Sequence, residues 1–155
     1  MANQFDFIGA NDKPALLAIS TPEWASIAET VLVELGYKVH QISSHLEFPS
    51  RFSQIAYQVV IIEDKFGGEQ ASENTTLQSL QAMPVNQRRH TTIVLLGENY
   101  ETLNALQAFQ NSVHAVVNYS EIALLGQLVQ KVVSENELFL RNFREIQIRV
   151  AQAKD

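Results

Sequence analysis

The chain contains no cysteine, which excludes disulfides, thiolate metal sites and a cysteine nucleophile together. No apolar run approaches the roughly 20 residues of a membrane-spanning helix, so no membrane span is expected. Positive charge is scarce: 11 Lys and Arg face 17 Asp and Glu, for a net charge of −6. Nucleic acid and anionic membrane surfaces are held by clustered cations, so neither is an expected partner. The run Gln87-Arg88-Arg89-His90 is a small basic exception, read as a solvated loop with docking as the alternative. His40, His45, His90 and His114 never recur at i, i+3 or i+4, which argues against a helical metal site. No G-x-S-x-G elbow, P-loop or G-x-G-x-x-G occurs, and Gly67-Gly68 alone reads as a turn. The start, MANQFDFIGANDK, lacks the cationic and apolar regions of a secretory signal. A cytoplasmic location is the expectation, with no cofactor.

What is present is a strict alternation. The 155 residues, 46% apolar and 18% charged, suit one folded domain with a real core. After a polar tail over residues 1–12, PALLAIS (14–20) reads as a short buried strand. TPEW then starts a helix, with Thr21 as N-cap, Pro22 at the first helical position and Glu23 complementing the dipole. Trp24, Ile27, Ala28, Val31, Leu32 and Leu35 form its apolar stripe, and Gly36 its left-handed stop. YKVHQIS (37–43) is a second strand, followed by a weaker helix near 50–56 with Pro49 at its start. YQVVIIE (57–63) is apolar on both faces, as a central parallel strand requires. A long loop leads to a helix over 75–83, a strand TTIVLLG (91–97), a helix YETLNALQAFQ (100–110) and a strand SVHAVVN (112–118). A last helix begins near Ser120-Glu121. The expected fold is α/β, a five-stranded doubly wound parallel sheet with right-handed crossovers. Ligands of such sheets sit beyond the carboxyl ends of the strands, where Ser20, Glu63, Gly97 and Asn118 fall.

Over roughly residues 14–133 the chain resembles the receiver domain of response regulators. ELGYKV is similar to that family's join of first helix to second strand, and YQVVIIED to the third strand that ends on the phosphorylated aspartate. The resemblance implies a set of positions for phosphorylation. The acidic pair that helps hold Mg²⁺ maps onto Ser20 and Thr21, and the acceptor aspartate onto Glu63, with Asp64 as the alternative one residue on. The hydroxyl after the fourth strand maps onto Gly97, and the lysine after the fifth onto Asn118. The proline that follows it maps onto Tyr119, and the aromatic switch near Ala115. Every one of these positions is altered. Phosphoryl transfer is almost entirely positioning and electrostatic stabilisation, so a non-phosphorylatable pseudo-receiver is expected. Glu63 and Asp64, adjacent on a strand, are expected to point to opposite faces. Glu98 and Glu101 read as helix-start carboxylates, with an acid–base role as the weaker alternative.

The last helix is too long for this fold. From Glu121 to the end it contains no proline and a single glycine, Gly126, and as one helix it would span roughly 50 Å. Val129, Val132, Asn136, Phe139, Phe143, Ile146, Val150 and Ala153 are spaced 3, 4, 3, 4, 3, 4 and 3, a heptad seam with Asn136 at an a position. Residues 13–133 therefore form the expected domain, and 134–155 an extension of the last helix and possible coiled coil. A homodimer through this seam is expected; the alternative is an amphipathic cover for the chain's own domain. Because the pattern has no stop signal, the parent protein is expected to continue. The expected role is a signalling and protein-interaction module, not an enzyme, whose partners are its own copy, other signalling proteins or further domains. Ala105, Leu106 and Phe109 are candidate contacts. An atypical phosphorelay receiver is the alternative, followed by a small flavodoxin-like ligand-binding protein.

Overall fold

The structure is a computed structural model that describes residues 7–68, 73–88 and 90–153. Five strands form one sheet: β1 (Lys13–Ala18), β2 (Tyr37–Gln41), β3 (Val59–Glu63), β4 (Thr92–Gly97) and β5 (Ala115–Asn118). Their spatial order is β2-β1-β3-β4-β5, and every neighbouring pair is parallel. The helices are α1 (Pro22–Glu34), α2 (Phe48–Gln54), α3 (Thr75–Ala82), the single turn α4 (Val85–Arg88), α5 (Ala105–Gln110) and α6 (Leu125–Ala153).

The doubly apolar strands explain the two layers. Ala15, Leu17, Val59, Ile61, Val94, Leu96 and Val117 turn to one face and pack against α1 and the start of α6. Their neighbours Leu16, Ala18, Val60, Ile62, Ile93, Leu95 and Val116 turn to the other, against Phe48, Leu77, Leu80 and Ala108 from α2, α3 and α5. Each fully buried aliphatic side chain contributes about 1.5–3 kcal/mol, so the sheet is the stable centre to which the loops are fixed. Gly36, at φ +90°, ends α1 and leads into β2.

Several expected boundaries move. The helix expected from Tyr100 begins only at Ala105, because Leu103 adopts φ +63° and donates its N–H to the Val116 carbonyl at 2.9 Å. That left-handed residue interrupts any helix through the loop, and Asn104 then caps α5 through its side chain to the Gln107 N–H at 2.9 Å. The last helix likewise starts late: Tyr119–Leu124 is a 3-10 segment with non-helical Glu121, and regular α6 follows from Leu125. On α1 the buried residues are Ala25, Ala28 and Leu32, whereas Ile27 is exposed. The turn α4 had no signal in the sequence. Within the basic run, Arg88 donates to the Gln81 carbonyl at 3.1 Å, His90 is exposed, and Arg89 lies outside the described residues.

α6 runs for 29 residues, about 43 Å at 1.5 Å per residue, against about 20 Å for the six-residue strands. Leu125, Val129 and Val132 are buried in the domain core, and from Arg141 onward the described side chains are exposed. Among the described residues no helix is long and apolar enough to cross a membrane.

Candidate functional site

The carboxyl edge of the sheet gathers the positions singled out by the sequence. Parallel strands β1 and β3 bring Ser20 and Thr21, just past β1, against Glu63 at the end of β3. Thr21 Oγ1 donates to Glu63 Oε1 at 2.6 Å, and the Ser20 N–H to Glu63 Oε2 at 3.3 Å. Thr21 thus occupies the N-cap position of α1, but its hydroxyl makes no capping bond; the nearby carboxylate is the stronger acceptor. Ser20 Oγ in turn accepts the Gly67 N–H at 2.9 Å, tying the β3–α3 loop to β1.

Glu63 and Asp64 are both 3% exposed. They do not point to opposite faces as the strand rule implied, because the strand ends at Glu63 and Asp64 already belongs to the following turn. Both carboxylates lie by the Tyr119 hydroxyl, which donates to Asp64 Oδ1 at 3.3 Å and feels the nearby charge of Glu63. Tyr119 itself lies flat on Trp24 of α1, with ring centroids 3.3 Å apart and an interplanar angle of 16°. Burial between these rings, next to two carboxylates, raises the Tyr119 hydroxyl far above the ordinary phenol range. It stays a donor. Burial also raises the Asp64 carboxyl above its usual range, with the Tyr119 bond acting in the other direction. From below, buried Asn74 donates to the backbone carbonyls of Glu63 at 2.9 Å and Asp64 at 3.1 Å, while its carbonyl caps α3 at the Leu77 N–H.

The remaining two positions are occupied in another sense. A side chain at Gly97 would meet the Tyr100 ring at 2.6 Å and Asp64 Oδ2 at 2.7 Å. Tyr100 therefore fills the space where a hydroxyl-bearing side chain would stand. Asn118 turns away to the loop after β4, donating to the carbonyls of Glu98 at 3.1 Å and Tyr100 at 2.8 Å. Its own oxygen accepts from the Ser120 N–H and hydroxyl, each at 2.9 Å. An amide there fixes two loops and carries no charge. Glu98 and Glu101 are exposed, and Glu101 bonds Asn104 at 3.2 Å. Ala115, at the aromatic-switch position, is a buried methyl with no ring to move.

A hard divalent cation wants several oxygen lone pairs converging on one point. Here the acid-pair positions supply an N–H and an O–H that already satisfy Glu63, and a phenol O–H satisfies Asp64. These residues do not fit magnesium. Trp24, Asn74 and Tyr100 had no signal as site residues in the sequence, because each reaches the cleft only through tertiary packing.

The seam residues divide at Asn136. Val129 and Val132 are core; Asn136 is half-buried and reaches Thr92 Oγ1 at 3.4 Å and His114. Phe139, Phe143, Ile146 and Val150 are 49%, 38%, 57% and 50% exposed, and the two rings stack 6.5 Å apart. Leu106 and Phe109 on α5 are exposed as well, with Ala108 turned to the core.

No protein-family model matches the chain, and no curated protein matches it. Solved structures do. The chain is similar to a response regulator from Chloroflexus aurantiacus J-10-fl, with 16% identity over 80% of this chain and 99% of that one, at a TM-score of 0.63. It is similar also to the signal receiver domain of a Luxo repressor protein from Vibrio parahaemolyticus, with 12% identity over 82% and 94% and a TM-score of 0.62. A fusion that carries the yeast Spc42 trimeric coiled coil covers 95% of this chain and 94% of its own, at 14% identity and a TM-score of 0.62. The fold is that of response-regulator receiver domains.

Proposed function

We propose that the chain is a receiver-like signalling module that does not take a phosphoryl group and works through protein–protein contact. The carrying observation is the 2.6 Å bond from Thr21 to Glu63: a donor stands where a receiver's metal-binding acid would be, and it is spent on the acceptor position. The missing ammonium at Asn118 and the ring packed over Gly97 support the same reading. With an amide in place of the lysine at position 118, and Lys65 exposed to water beside Asp64, phosphoryl charge next to two buried carboxylates would be repelled.

The output surface in this reading is the distal part of α6, with α5 and β5 beside it, offered to a second copy of the chain or to another signalling protein. Exposed aromatic and branched residues at heptad spacing support it. So does the chain-wide likeness to a fusion that includes a coiled coil. Soluble globular surfaces rarely leave such a stripe in water without a partner.

An atypical phosphorelay receiver using Asp64 is the rival reading. Asp64 is buried and held by Tyr119, which weighs against in-line attack on a phosphodonor. Incubation with acetyl phosphate and Mg²⁺, read by intact mass, separates the two. An unchanged mass is expected; a phosphoryl adduct lost in Asp64→Asn would establish the rival. Solution mass tests the second half of the proposal: dimer for the native chain, monomer for Phe143→Asp.

A further inference from the structure

Resting on the dimer reading, we infer that two copies pair through α6 antiparallel, tip to base, and not side by side. Three features carry this. The seam is one stripe, and its upper part is already covered: Val129 and Val132 lie in the chain's own core, and Asn136 packs on Thr92. A parallel partner in register would have to occupy that same stripe at the same height, where the sheet stands. An antiparallel partner needs only the part from Asn136 to Ala153, and it approaches from beyond the amino edge of the sheet.

The second feature is volume. A parallel pair sets Phe139 against Phe139 and Phe143 against Phe143, two aromatic layers in a narrow two-stranded core. Reversing one helix places Phe139 opposite the partner's Val150 and Phe143 opposite the partner's Ile146. Large faces small in successive layers, the arrangement that fills a core without voids. All four side chains are exposed in the single chain.

The third feature is charge. Glu135 and Glu137 lie at the base of the projecting helix beside Lys131, while Arg141, Arg144 and Arg149 lie further out, with Glu145 the one acid among them through Ala153. Glu135 and Arg149 both flank the seam at g. An antiparallel pair brings g beside g of the partner, so Arg149 approaches the partner's Glu135 from each side. A parallel pair brings g beside e, where Glu135 would meet Leu140 and Asn142 would meet Gln147, with no opposite charges. Glu135 already pairs with Lys131 at 2.6 Å, and the partner's guanidinium would extend that pair into a network.

The absence of cysteine makes the test clean. Ala151→Cys lies off the seam on an exposed position and carries one spin label per chain. In the antiparallel register above, the two labels lie roughly 20 Å apart along the axes; in a parallel pair they sit side by side, about 10 Å apart across them. A dimer by solution mass with the long distance bears the inference out. A dimer with the short distance overturns the alignment and leaves the dimer standing. A labelled chain that stays monomeric, like its unlabelled parent, removes both.

Discussion

At the carboxyl edge of the sheet, polar groups are satisfied from within: Thr21 by Glu63, Tyr119 by Asp64, Asn118 by two loop carbonyls, Asn74 by two more. Along α6 beyond Asn136 the balance reverses, and Phe139, Phe143, Ile146 and Val150 present apolar surface to water. One region is closed by its own hydrogen bonds. The other leaves apolar side chains half in water. The same sheet supports both, so in the proposed reading the chemistry of a receiver and its use as a contact surface are separable: the first depends on a few side chains at loop ends, the second on a helix that runs past the sheet.

The contrast is sharpest within α6 itself. Leu125→Ala, at a fully buried site, should cost about 2–5 kcal/mol in urea unfolding. Phe143→Asp should leave the monomer's unfolding free energy within about 1 kcal/mol while abolishing the dimer in sedimentation equilibrium. If Phe143→Asp unfolds the chain instead, the distal stripe belongs to the core and the division drawn here is wrong.

A smaller effect probes the filled cleft. Gly97→Ala sets a methyl against Tyr100 and Asp64 and should cost about 1–3 kcal/mol. In a Tyr100→Ala background the same change should cost at least about 0.5 kcal/mol less, since contacting residues couple on that scale. Additive costs would mean that Tyr100 does not fill the position.

The third test is a pH dependence. Burial raises the Asp64 carboxyl, so between the ordinary aspartate value and the raised one the native state holds a proton that the unfolded chain has lost. Stability therefore falls as pH rises through that window, and above it the charged form bears the burial penalty. Asp64→Asn keeps an oxygen acceptor for Tyr119 and should raise Tm at neutral pH while matching the native chain near pH ~3, below both values. A variant no more stable at neutral pH would show that the bond from Tyr119 outweighs burial.

Much of this architecture could be read from the residues alone. Val59 to Ile62 and Ile93 to Leu96 are apolar at every position, which only a strand covered on both faces tolerates, and both runs became central strands. The heptad spacing of α6 was equally plain, and the helix is continuous to Ala153. What failed to show depends on approach between distant segments. Thr21 reads as a cap by local rules, and only the pairing of β1 with β3 offers it Glu63 instead. Tyr100 reads as the start of a helix until Leu103 breaks the turn and the ring drops over Gly97. The strand rule placed Glu63 and Asp64 apart because it was applied to Asp64, which lies past the end of the strand in a turn.

The central claim is that this cleft has no seat for a metal-bound phosphoryl group. Trp24, the sole tryptophan, stacks on Tyr119 at the cleft wall and reports on it directly. Titrating the native chain with Mg²⁺ and beryllofluoride should leave Trp24 emission unchanged apart from dilution; a saturable change that requires both ions, and that disappears in Asp64→Asn, would contradict the account.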